Sequence, residues 1–175
     1  MKSYYYTQSG VLNETTAYPV YAENGAEVVQ VQRVYSNPIK RLLDGYFDHR
    51  YFVQYDVLRG GKKSFTIRKI FRRGKVWFEA TDLVRNNPYA ILYENWRVAI
   101  PELSINGANF EMKIDKSMED WSEFKEQGEV VARWRASYNE AKDEFYTEVE
   151  IEEACSIQEP DFFVAIGQAV LFIGQ

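Results

Sequence analysis

The segment from Asp161 to Gly174 constrains the fold more than any other part of the chain, because it offers water almost nothing. After Asp161 its one polar side chain is Gln168; the rest are Phe162, Phe163, Val164, Ala165, Ile166, Gly167, Ala169, Val170, Leu171, Phe172, Ile173 and Gly174. Pro160 suits a first helical turn, where its missing N–H costs nothing, and Asp161 suits the positive end of the helix dipole. A helix that is apolar all round must be surrounded. At 1.5 Å per residue this one reaches about 22 Å, short of the ~30 Å hydrocarbon layer of a bilayer. Leaving its eight large apolar side chains in water would cost on the order of 1.5–3 kcal/mol each. Three destinations meet that need: the inside of a β-barrel, a membrane, or a partner protein. The barrel is preferred, because Ala165, Gly167 and Ala169 let strands approach the helix closely. The same residues argue against a strand at 162–173. A central helix of a layered core would answer the same need with another topology.

The preceding chain supplies strands to surround it. Tyr51, Val53, Tyr55 and Val57 alternate with Phe52, Gln54 and Asp56; Phe65, Ile67 and Phe71 oppose Thr66, Arg68 and Arg72. The same period of two recurs in Val76, Phe78 and Ala80, in Phe110, Met112 and Ile114, in Val130, Ala132, Trp134 and Ala136, and in Phe145, Thr147, Val149 and Ile151. Half-buried strands produce this pattern. Further strands are expected near 3–8, 17–22, 26–35, 89–96 and 98–105. Asn24-Gly25, Gly60-Gly61, Arg73-Gly74 and Asn106-Gly107 punctuate the runs as turns. A content of 16% aromatic residues, with 13 Tyr and 11 Phe, suits pleated surfaces.

Two short helices are expected to interrupt the strands as insertions near 37–47 and 116–128. Asn37-Pro38 is a cap followed by a good first helical residue, and Ile39, Leu42 and Leu43 share a face before Gly45. Ser117 to Asp120 resembles a capping box, with Trp121 and Phe124 three apart and Gly128 as the stop. With 175 residues and no linker, repeat or low-complexity tract, residues 1–175 read as one domain.

The strand Tyr51 to Val57, the Gly60-Gly61 turn, the basic strand Phe65 to Lys69 and the closing helix Asp161 to Gly174 together resemble the tubby C-terminal-like superfamily. That group includes the tubby proteins, the LURP-one-related proteins and the phospholipid scramblases. The resemblance implies a mainly β fold: a closed, roughly twelve-stranded antiparallel barrel around a buried hydrophobic C-terminal helix. It also implies a binding module that recognises phosphoinositide through basic strand residues. Tubby proteins place a further strand after the helix, whereas here the sequence ends there.

Catalytic signatures are absent from the sequence: it has no phosphate-binding Walker loop, dinucleotide fingerprint, GxSxG or HExxH. His49 is the only histidine and Cys155 the only cysteine, too few for a disulfide, a cysteine zinc site or a histidine-rich metal site. A Cys155–His49 nucleophile is disfavoured, since Cys155 sits in an acidic stretch. Glu148, Glu150 and Glu152 alternate on one strand face and read as solvated acids rather than a glycosidase pair or a calcium site. No enzyme, cofactor or metal is therefore expected. Trp77, Trp96, Trp121 and Trp134 read as core or rim packing.

The basic stretch is the candidate site. Between Asp56 and Glu79 there is no acid, yet Arg59, Lys62, Lys63, Arg68, Lys69, Arg72, Arg73 and Lys75 all occur. Such a hairpin can receive an anion such as a phospholipid headgroup. The alternatives are a charged hairpin that resists edge aggregation, pairing with the acids at 144–153, and a domain that binds a protein partner through strand edges or inserted helices. The formal net charge of −5 disfavours nucleic acid. Storage of an apolar ligand needs a hollow barrel, which the helix fills. The N-terminus lacks a secretory pattern, so a cytoplasmic protein is expected, peripheral to the membrane if lipid is the ligand. Asn13-Glu14-Thr15 is then an accidental glycosylation triplet.

Overall fold

The computed structural model describes residues 1–47, 49, 51–94, 102–117, 120–171 and 173. Among these, twelve strands run in chain order: β1 (Lys2–Ser9), β2 (Tyr18–Ala22), β3 (Glu27–Arg33), β4 (Gln54–Arg59), β5 (Lys62–Arg72), β6 (Lys75–Asp82), β7 (Asn87–Tyr93), β8 (Leu103–Gly107), β9 (Phe110–Asp115), β10 (Ser122–Glu126), β11 (Glu129–Asn139) and β12 (Glu144–Ile151). Each pairs antiparallel with its chain neighbour, and β12 returns to β1 to close the barrel. The closing seam runs from Lys2 opposite Ile151 to Ser9 opposite Glu144, so no edge is left unpaired. Glycine or a left-handed residue makes the tight hairpins. Gly60 and Gly61, Arg73 and Gly74, and Gln127 and Gly128 all have positive φ, the geometry that matches the twist of flanking strands.

Helix α2 (Pro160–Val170) threads the barrel, and all eleven of its residues are buried. It packs on β3, β4, β5, β11 and β12. Phe162 meets Phe65, Tyr89 and Phe110 edge-on at 5.9, 5.3 and 5.9 Å between centroids, and Phe163 meets Phe124 at 5.0 Å. Gly167 faces Trp134 so closely that a Cβ there would lie 2.9 Å from the indole ring. Gln168, the polar exception, is satisfied: Tyr6 donates to its carbonyl at 2.8 Å, and its amide donates to the Tyr55 hydroxyl at 3.4 Å. At its C-terminal end the buried Lys116 ammonium donates to the Leu171 carbonyl at 2.7 Å and to that of Ile173.

α2 enters at what we term the lower end, beside the Gly60-Gly61 turn, and ends at the upper end, beside Lys116. Helix α1 (Pro38–Asp44) lies at the upper end in the connection from β3 to β4, and a 3-10 turn (Gly45–Phe47) extends it. Asn37 caps it by accepting from the Lys40 N–H at 2.8 Å. The stretch 116–128 does not form the expected helix. Ser122–Glu126 is strand β10, with Ser122 and Phe124 facing inward and Gln127-Gly128 turning the hairpin; Met118 and Glu119 lie outside the described residues. The expected strands at 89–96 and 98–105 are β7 and β8, with 95–101 outside the described residues.

Bulges shift several expected faces. Ala132 opposes Phe124 while Val130 opposes Lys125, so Val131 is an extra residue; Val131 and Ala132 are both buried and Val130 is exposed. Ser64 is likewise extra on β5, which turns it and Phe65 inward together. Tyr51 and Phe71, expected on inward faces, are exposed because they lie beyond the upper rim. Gly107 ends β8 rather than making a turn, and residues 108–109 connect it to β9.

Candidate functional site

β5 is the spine of the basic stretch. Its eleven residues at about 3.3 Å each separate the Lys62 and Arg72 ends by roughly 33 Å. The eight cations therefore form two groups at opposite ends of the barrel rather than one patch.

At the lower end, Arg59, Lys62 and Lys63 flank the Gly60-Gly61 turn, and two of them are neutralised. Arg59 donates to the Asp161 carboxylate in the first turn of α2, which also accepts from the bulged Ser64 hydroxyl. The Asp161 hydrogen bond holds the Arg59 guanidinium above its ordinary value. Lys63 pairs with Asp56 at 2.6 Å, and Thr66 donates to the same carboxylate at 2.6 Å. Beside them opens a cavity of about 220 Å³ lined in part by Arg59, Arg85, Tyr89, Glu159 and Phe162. Its second cation, Arg85, is taken by Asp82 at 3.1 Å and by Glu159.

At the upper end the charges are freer. Arg68 lies outward along β5 and donates to Glu79 on β6 at 2.8 and 3.2 Å. Lys69 is half-buried, its ammonium 6.0 Å from the Phe78 ring centroid. Arg72, Arg73 and Lys75 surround the turn, exposed, with no ion-pair partner among the described residues; Lys62 shares that state at the other end. Next to this turn the exposed Phe71 and Tyr51 rings meet at 5.5 Å, and Tyr51 meets Phe52 at 6.5 Å.

The sequence-based candidates elsewhere are structural. Glu148 and Glu150 pair with Arg135 and Arg133 of β11 at 2.6 and 2.5 Å, so the acidic strand answers its neighbour and not the basic hairpin. Trp121 stacks against both arginines at 4.5 Å. Trp134 is core, Trp77 is half-buried, and Trp96 lies outside the described residues. Burial pushes the Cys155 thiol up to about 11, and His49 sits instead against Asp44 at 3.3 Å. Among the described residues no three His, Cys, Asp or Glu side chains converge on a metal position, and no helix is long and apolar enough to cross a membrane.

A closed twelve-strand barrel around a terminal apolar helix is a family architecture, and a family model confirms it: the Tubby C-terminal like domain matches residues 4–173. The chain belongs to this family. No curated protein and no solved structure matches it. Tubby-like domains are binding modules and generally non-catalytic. Sequence reasoning overlooked that Tyr51 and Phe71 stand exposed beside the basic turn. Phe71 stands only two residues before the Arg73-Gly74 turn, which was the available signal that it passes the rim.

Proposed function

We propose that this tubby-like domain binds the phosphates of anionic membrane phospholipid through the upper β5–β6 tip. One observation carries the reading. Arg72, Arg73 and Lys75 stand exposed and unpaired among the described residues beside exposed aromatic rings, while Arg59, Lys63 and Arg68 of the same stretch already have carboxylate partners. Cations held by internal acids gain little from an external anion; unpaired ones gain its full attraction. Such a protein works in the cytoplasm as a peripheral membrane component.

Co-sedimentation with phosphatidylcholine vesicles, with and without phosphatidylserine, tests this. Binding is expected only with the anionic lipid and falls as salt is raised. Near a membrane surface each Lys or Arg contributes about 1 kcal/mol, so replacing Arg72, Arg73 and Lys75 by Gln weakens binding about 100-fold. Equal sedimentation of that variant and the wild type sinks the proposal.

A further inference from the structure

Helix α1 is inside out. Ile39, Leu42, Leu43 and Tyr46 fall at i, i+3, i+4 and i+7, the spacing of a stripe that normally faces a core. Here those residues are 67%, 71%, 39% and 81% exposed, and the one buried residue of α1 is an acid, Asp44. This orientation is built in. The Asp44 carboxylate accepts from Arg33 at 2.7 Å, from the Tyr35 hydroxyl at 2.6 Å and from the Phe52 N–H at 3.3 Å. A polar anchor thus pins the helix to the rim and turns its apolar stripe to solvent.

Helix α1 is linked to the basic tip through Lys40 and a row of aromatic rings. The Lys40 ammonium lies 5.8 Å from the Phe52 ring, Phe52 adjoins Tyr51, Tyr51 adjoins Phe71, and Phe71 precedes Arg72. Although the chain carries a net charge of −5, neither α1 nor β5 with its closing turn presents an exposed acid. An exposed apolar stripe flanked by Lys40, Arg41 and the tip cations is complementary to one kind of surface, an anionic lipid interface. There the apolar side chains enter the boundary between headgroups and acyl chains while the cations stay with the phosphates. Its seven residues are far too few to span a bilayer, so it would lie in the interface plane.

We propose that α1 is a membrane-insertion helix that seats the upper end of the barrel in an anionic bilayer. This rests on the lipid-binding reading above and adds to it a depth and an orientation.

The test uses the full chain, phosphatidylcholine vesicles with and without phosphatidylserine, and two variants: Ile39→Ser with Leu42→Ser, and the triple Gln substitution of the tip. Both sites are exposed, so thermal unfolding should match the wild type. The serine variant is expected to bind anionic vesicles at least about tenfold more weakly. An environment-sensitive fluorophore on Leu42→Cys should shift to the blue with anionic vesicles only. If the serine variant binds like the wild type and the fluorophore stays in water, α1 is not inserted, while the lipid-binding reading stands. Failure of the wild type to bind any vesicle removes both. A dimer in sedimentation velocity that the serine pair dissolves, with vesicle binding unchanged, would assign the stripe to a second copy and overturn the inference.

Discussion

The two helices share a grammar and have opposite fates. Both begin at a proline, Pro38 and Pro160, and both carry apolar residues three and four apart. α2 buries every side chain and satisfies its one interior amide, Gln168, with Tyr6 and Tyr55. α1 exposes its apolar stripe and buries an acid against Arg33. Periodicity tells which residues share a face; whether that face turns inward depends on what surrounds it and on where the polar residues find partners.

The sharpest way to break this contrast is truncation of matched apolar residues. Phe163→Ala in α2 should lower stability by about 3–5 kcal/mol in urea unfolding, because the barrel cannot collapse onto the void. A loss below about 1 kcal/mol would mean that α2 is not the core. Asp44→Ala should be nearly as severe, about 3–5 kcal/mol, since it leaves the Arg33 guanidinium buried without its carboxylate. Adding Arg33→Met should recover most of that loss, and a double-mutant cycle in which the effects simply add would refute the anchor. Gly167→Ala pushes a methyl into Trp134 and should destabilise by about 1–3 kcal/mol, with partial recovery when Trp134→Phe is added.

A weaker effect follows from Lys116, whose ammonium burial lowers to about 8 from 10.5. Above pH 8 the folded lysine releases its proton while the unfolded one keeps it, so stability rises with pH until the unfolded lysine also titrates. The buried Tyr6 phenol, raised above its ordinary 10.0, acts oppositely once unfolded tyrosines ionise. The informative window is therefore pH 8 to just below 10, and there Lys116→Met should flatten the rise. The smallest effect completes the comparison: Leu42→Ala in α1 should change stability by no more than about 0.5 kcal/mol.

The sequence made the architecture legible where local chemistry and burial agree. The apolar run after Pro160 could only be enclosed, and the alternation of Val53, Tyr55 and Val57 marks a strand with one buried face. It misled where segments are short. Trp121 and Phe124 read as helical spacing, yet over five residues periods of two and three are indistinguishable, and Ser122–Glu126 is a strand. The basic stretch was legible as composition and illegible as a surface. Its residues are neighbours in sequence, but a strand of eleven residues carries them to opposite ends, and Arg59 is answered by Asp161, 102 positions away. Bulges at Ser64 and Val131 reversed faces that strict alternation assigns.

The closing of β12 on β1 also dictates an order of events during synthesis. The seam joins the first strand to the last, and α2, the object that every strand encloses, leaves the ribosome after all of them. The nascent strands thus have no centre to collapse upon until α2 has been made, and contacts between elements so far apart in sequence make such topologies slow to fold. A chain released before Pro160 would be an empty shell with its inner faces open to chaperones or aggregation. The helix acts as the checkpoint for the strands made before it.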